Sequence, residues 1–463
     1  MPSMLVFRRH ALAIILLFTS VVASVAESQN QPNSLAIETA RLANGMEIII
    51  VPDHRSQVVT HMVWFRVGSI DDPEGKSGIA HFFEHLMFRG TKTNGEGEFW
   101  RQVNAMGGQL NAFTSYDFTG YYERVTSDKL AEVMRLEADR MQNLIIDKKI
   151  VGIERDVILE ERSIRVDSNP RQILSEKLMA RLHAGAPYDT PIIGWRDEIA
   201  KLNATDAQAF YQRYYAPDNA ILLVAGDITM DELLPLAKTY YGPLKAANKP
   251  REKFPPAASL QVAEYQTPEK YADPRVRQQL WQRIFRLPAY HSVVDKGDFA
   301  ALAVAAEILG GGPTSRLHQS LAVERKQAAS INSYADSWQL HEGMFLISAN
   351  LMPQAQFDDI AVLVEAEIAA LAERAPEANE LARAKVQIIA DSLYARDSQS
   401  YLANAFGAAA VIGIEPQAVI DWPQLIERVS AEDVRRIVST MLVPQHSVTG
   451  WLIQADTEAS YAP

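Results

Sequence analysis

The chain has 463 residues, 48% of them hydrophobic and 22% charged, with a formal net charge of −12 and no cysteine. That length exceeds one compact core and points to two or three domains, while the composition excludes a disordered chain. The acidic balance speaks against a nucleic-acid binder, and the lack of cysteine restricts any metal site to His, Asp and Glu donors.

The first residues read as an address. Arg8 and Arg9 precede the apolar run "ALAIILLFTSVVA", and Ser24 and Ala26 sit at the small-residue positions a signal peptidase reads. A signal peptide over 1–26, cleaved after Ala26, is expected, with an uncleaved anchor as the alternative. The run is short for a membrane span, which needs about 20 residues, and it is not the amphipathic, Arg- and Ser-rich pattern of a mitochondrial transit peptide. Export to the periplasm follows, with secretion as the other outcome.

Next comes a hairpin, with Asn44-Gly45 as the turn and a second strand alternating around Val63, Phe65 and Val67. Helical and extended stretches follow, among them "SDKLAEVMRLEADRMQNLI" and "ILLVAGDI". Residues 241–259, with four prolines and no apolar period, have the composition of a linker. They divide the mature chain into halves at 33–240 and 260–455. The halves repeat one order: strand, helix, glycine turn, strands, long amphipathic helix. With Ala80 set against Ala303, Val304 falls opposite His81, Glu307 opposite Glu84 and Ile308 opposite His85. The second copy therefore has the helix without the histidines, so packing alone does not demand them.

That helix lies in "SGIAHFFEHLMFRGT", where Ser77 is placed to cap its start and Gly90 to end it in a left-handed residue. His81 and His85, one turn apart, share a face, and Glu84 projects to the same side. Two imidazoles at this spacing can meet one zinc ion, with the carboxylate beside them as a proton acceptor. The inverted order H-x-x-E-H is a recorded metallopeptidase motif. A third ligand is sought in "KKIVGIERDVILEERSI". Its apolar positions Ile150, Val151, Ile153, Val157, Ile158 and Ile164 define one helical face. Glu161 lies within roughly 20° of its centre, Glu154 within roughly 40° and Glu160 about 80° away. The competing reading pairs these glutamates with Arg155 or Arg162.

With these residues the sequence resembles the pitrilysin/insulysin family of zinc metallopeptidases, closest in layout to the short-chain branch that includes mitochondrial processing peptidase and its bacterial relatives. The resemblance spans about residues 33–450, and the family's glutamate about 76 residues beyond the second histidine is Glu161. It implies an α+β fold of two homologous domains in tandem, each a mixed, mostly antiparallel sheet covered by helices. It implies one zinc per chain on His81, His85 and Glu161, with Glu84 as general base and Glu154 supporting the site from beside a ligand. In "LNAFTSYD" it implies an edge strand that binds peptide along Asn111, Ala112 and Phe113. Phe88 matches an aromatic lining the pocket beyond the scissile bond, with core packing as its other reading. The family's substrate-engaging Arg and Tyr fall on Ala322 and Ala329, and the acidic pair that reads arginine falls on Arg171 and Ser175. The expected protein is thus a zinc endopeptidase whose homologous partner subunit supplies the missing Arg/Tyr pair, a homodimer being possible. A non-catalytic scaffold of the same fold is the rival.

Overall fold

The computed structural model describes residues 36–247, 260, 262–263 and 265–455. The expected signal peptide and most of the expected linker lie outside the described residues.

Strands β1 (Glu38–Arg41) and β2 (Glu47–Pro52) pair antiparallel, with Gly45 at φ +93° in the expected turn. With β3 (Val58–Phe65), β4 (Gln109–Thr114), β5 (Thr119–Thr126) and β6 (Ala220–Gly226) they form a six-stranded sheet, ordered β1-β2-β6-β3-β5-β4. Only β2 and β6 are parallel. The second sheet holds β7 (Glu269–Asp273), β8 (Leu280–Pro288), β9 (Ala328–Asp336), β10 (Glu342–Leu351) and β11 (Ser447–Gln454), ordered β7-β11-β8-β10-β9. Here too the one parallel pair is β7 with β11. Without β1, the two orders coincide strand for strand. The repeat read from the order of elements therefore extends to the pairing.

Helices α1 (Ile79–Leu86), α2 (Glu98–Ala105), α3 (Leu130–Asn143), α4 (Lys148–Arg162), α5 (Pro170–Leu182), α6 (Ala204–Tyr214) and α7 (Met230–Tyr240) follow in the first half. The second has α8 (Gly297–Gly310), α9 (Phe357–Glu373), α10 (Ala378–Ala395), α11 (Gln399–Val411) and α12 (Ala431–Met441). One core packs Val63, Phe65 and Tyr121 against Phe83, Val133, Met134, Ile158 and Phe210. A second joins Trp281, Phe285 and Phe345 to Phe299, Val304, Ile308 and Val438. Val304 and Ile308, opposite the two histidines in the repeat, are buried core residues.

Two helices cross over. Helix α5 of the first half packs on β11 and β7, and Leu174, Leu178 and Leu182 join Val276, Leu280, Ile284, Val448 and Leu452 in a third core. Reciprocally, α11 of the second half packs on β3 and β6. The alternation read around Val63, Phe65 and Val67 does not carry over to burial: every residue of β3 after Val58 is buried, Trp64 included. The fit is close at both crossings. A Cβ on Gly407 would lie 2.1 Å from Trp64 Cε2, and one on Gly450 2.5 Å from a Leu178 methyl carbon.

Candidate metal centre

Helix α1 buries Ile79, Phe82, Phe83 and Leu86 on one side, which leaves His81, Glu84 and His85 together on the other. Its start differs from the expectation. Gly78, at φ +82°, precedes the helix; a Cβ there would lie 2.4 Å from Ile193 O. The cap is Asp72, which accepts from Gly78 N (2.7 Å) and Ala80 N (3.0 Å), while Ser77 Oγ accepts from Trp195 N (2.8 Å). The helix ends at Leu86 with Met87 beyond it, and Gly90 is not in the left-handed region. Asp72 reaches the helix start from six residues before Gly78, so its carboxylate occupies the place a serine hydroxyl would take.

Helix α4 starts at the Asp147 cap, whose side chain accepts from Lys149 N and Ile150 N, and brings Glu154 and Glu161 to the site two turns apart. Its apolar face is not wholly core. Ile153, Val157 and Ile164 are 48%, 42% and 63% exposed and line an open cleft. Nor do the glutamates pair with the arginines named as alternatives. Arg155 donates to Leu202 O (3.2 Å), and Arg162 binds Glu176 at 2.8 Å and Gly194 O at 2.8 Å. Glu160 lines the cleft but is exposed.

Donor atoms of His81, His85 and Glu161 lie within 4.8 Å of one another. Glu161 Oε2 is 3.1 Å from His85 Nε2 and 3.8 Å from His81 Nε2, yet it is buried with no hydrogen-bond partner. Three converging N/O donors around an unpartnered buried oxygen fit a zinc ion, which takes such a set and keeps a fourth position open. His85 Nδ1 donates to Glu154 Oε1 (2.9 Å), which holds the imidazole with Nε2 towards Glu161. Glu154 is also clamped by Arg89, which binds Glu96 at 2.5 Å. Thr114 Oγ1 donates to Glu84 Oε2 at 2.5 Å, tying the expected base to strand β4.

Charge at the site is unevenly held. Burial pushes His81 down to about 4, with His85 and Arg165 acting in the same direction. Burial also opposes the charge of His85, but the carboxylates of Glu154 and Glu161 outweigh it and raise the group to about 9. Burial raises Glu84, against the Thr114 hydrogen bond. For Glu154 and Glu161 burial works upward, and the histidines, with Arg89 or Arg165, hold both below the usual carboxylate range.

All nine residues singled out in the sequence line one cleft of about 1850 Å³: His81, Glu84, His85, Phe88, Asn111, Ala112, Phe113, Glu154 and Glu161. Strand β4 is the free edge of the first sheet, as expected, and pairs with β5 alone. Ala112 N donates to Asn111 Oδ1 (2.9 Å) in an exposed hydrogen bond. Phe88 is half-buried. It lines the cleft while packing edge-on against Phe99 and tilted against Trp100, with the Arg140 guanidinium 5.1 Å from its centroid. Ser175 lines the cleft, whereas Arg171 donates to Asn350 Oδ1 (2.7 Å). The lining residues lie between 81 and 193, so neither Ala322 nor Ala329 takes part.

Four contributors were not foreseen. Arg89 and Arg165 stand four residues after His85 and Glu161, a spacing that marks neighbours on a helix. Asp72 and Thr114 carry no such signal, since both reach the site from other segments.

Residues 47–195 match the family model described as Insulinase (Peptidase family M16), and residues 201–388 the one described as Peptidase M16 inactive domain. The chain is 30% identical over 427 residues to the zinc protease PqqE of Helicobacter pylori, covering 90% of this chain and 92% of that one. It is 26% identical over 426 residues to the mitochondrial-processing peptidase subunit beta of Blastocladiella emersonii, covering 90% of each. The crystal structure of a protease from Helicobacter pylori matches with a TM-score of 0.82 at 28% identity, covering 90% of this chain and 99% of that one.

Proposed function

The chain belongs to the insulinase family of metallopeptidases, peptidase family M16, and from that premise we propose that it is a zinc-dependent endopeptidase acting on peptides or short unfolded polypeptides. The observation that carries the proposal is the buried, unpartnered Glu161 Oε2 facing the two imidazoles. His81 and His85 through Nε2 and Glu161 through Oε2 would hold one zinc ion. When bound there, zinc acts as a Lewis acid, lowering the pKa of water towards neutrality and polarising a scissile carbonyl.

The remaining work falls to the chain's own side chains. Glu84, raised by burial towards working pH, takes a proton from the attacking water and delivers it to the leaving amine. Thr114 fixes which Glu84 oxygen is free. Glu154 keeps His85 Nδ1 protonated and its Nε2 turned to the site. Along β4 a peptide adds as a further strand at Asn111, Ala112 and Phe113, replacing the exposed Ala112–Asn111 hydrogen bond. Phe88, Trp100, Ile153 and Val157 of α4, and Ile164 in the turn after it, form an apolar wall for its side chains.

The reading extends to a two-chain chamber. No residue of the second half lines the cleft among the described residues, and Ala322 and Ala329 supply neither guanidinium nor phenol. A homologous second subunit, or a second copy, would close the site and provide both. The same two alanines favour the rival reading, a peptide-binding scaffold that does not cut. The expected signal peptide over 1–26 supports export to the periplasm, with secretion as the other outcome, and among the described residues no helix is long and apolar enough to cross a membrane. Zinc stoichiometry measured together with cleavage of a quenched peptide library separates these readings. Zinc without cleavage, alone or with a homologous partner, supports the scaffold, and full activity of the chain alone removes the need for a partner.

A further inference from the structure

One oxygen of the Glu161 carboxylate, Oε1, lies 2.6 Å from Arg165 Nη1. The other, Oε2, is buried, has no hydrogen-bond partner and faces His85 Nε2 and His81 Nε2. The two oxygens are thus already sorted, one towards a cation of the chain and one towards the imidazoles. Arg165 stands in a π-helical turn, Ser163–Asp167, that continues α4 directly after Arg162. Such widened turns recur at functional sites. The neighbouring Arg162 is buried and engaged by Glu176 and Gly194 O, whereas the Arg165 side chain is 70% exposed and lines the cleft.

We propose that Arg165 is a positioning residue that holds Glu161 as a one-oxygen ligand, and this rests on the zinc-peptidase reading above. For both oxygens to face the imidazoles, the carboxylate must rotate and give up its contact with Arg165. While the contact stands, the chain offers three donor atoms, two nitrogens and one oxygen, and one coordination position stays open. Glu154 does the same for His85 from the other side, so each outward-facing ligand is gripped at the atom that does not face the site. An ordinary exposed i,i+4 pair, worth about 0.3–0.5 kcal/mol, would leave the metal site unmoved. That difference makes the two roles separable.

The experiment compares the full chain with Arg165→Ala and Arg165→Lys, each stripped and reloaded with Co2+ or Zn2+. Arg165→Ala is expected to weaken the visible Co2+ absorption, as four-coordination gives way to five. Its zinc affinity, read by chelator competition, falls about tenfold, the low end for losing a partner of a ligand. Arg165→Lys restores part of both, and thermal melts of the metal-free proteins confirm that each variant folds. A wild-type spectrum with zinc affinity within twofold in Arg165→Ala overturns the assignment. Failure of the wild-type chain to bind either ion overturns the metallopeptidase reading, and this inference with it.

Discussion

Glu154 gives the most exposed test of the candidate centre, because it should matter for the metal without touching it. The substitution Glu154→Gln keeps the shape and removes the charge. In the structure the carboxylate is 4% exposed, accepts from His85 Nδ1 at 2.9 Å and is clamped by Arg89. A hydrogen bond to a charged group contributes about 1.5–3 kcal/mol and a neutral one about 0.5–1.5. The His85 contact therefore loses about 1–1.5 kcal/mol, and since 1.4 kcal/mol is tenfold in an equilibrium constant, zinc should bind about tenfold more weakly. A second signature follows from protons. His85 in the metal-free site is raised to about 9, so near pH 7.5 it carries a proton that zinc must displace. Calorimetry in buffers of different ionisation enthalpy should show about one proton released from His85 per zinc at pH 7.5, in addition to that of zinc-bound water, and this His85 share should disappear as pH rises through 9. In Glu154→Gln, with one of the two raising carboxylates gone, the release at pH 7.5 should be smaller. A zinc affinity within twofold of wild type, with unchanged proton release, would refute the role given to Glu154.

Glu84→Gln should retain one zinc per chain by metal analysis while turnover of a quenched peptide falls about 10²–10⁴-fold, the usual share of a general base; loss of zinc would instead make Glu84 a ligand. Thr114→Val removes a hydrogen bond that lowers Glu84, so the acid limb of the kcat/KM profile should move to higher pH, and an unmoved limb would separate Thr114 from the base. Gly407→Ala puts a methyl group 2.1 Å from Trp64 Cε2 and should destabilise the chain by about 1–3 kcal/mol, read as a lower Tm. Glu307, raised by burial to about 7, keeps its proton longer folded than unfolded, so it subtracts stability as pH rises from about 4.5 to 7. Glu307→Gln should therefore raise Tm above pH 7 and leave it unchanged near pH 4; a uniform shift at both values would rule out titration as the cause.

The candidate metal ligands were legible because their signals are local or periodic. His81, Glu84 and His85 share a helical face by spacing alone, and Glu161 was marked both by its angle on α4 and by its distance along the chain. The strand repeat was legible too, through the order of elements. Burial was less so. An apolar stripe on α4 shows which way the helix turns its greasy side, but Ile153, Val157 and Ile164 meet a cleft and not a protein wall. Trp64 read as one side of an alternating strand because its cover, α11, lies more than 300 residues further on. Asp72 and Thr114 escaped notice for another reason: each meets α1 through turns of the chain that helical spacing does not encode.

The exchange of α5 and α11 has a consequence for anyone dissecting this chain. A stretch ending at residue 247 carries every side chain of the proposed centre, yet it leaves Trp64 and the outer faces of β3 and β6 bare, and it strands Leu174, Leu178 and Leu182 without their counterpart. The two halves are shingled, each the roof of the other, and a severed half is an open building. Co-expressed fragments, not either piece alone, are the form in which the centre can be reassembled, and swapping one half between relatives will require swapping the borrowed helix with the sheet it shelters.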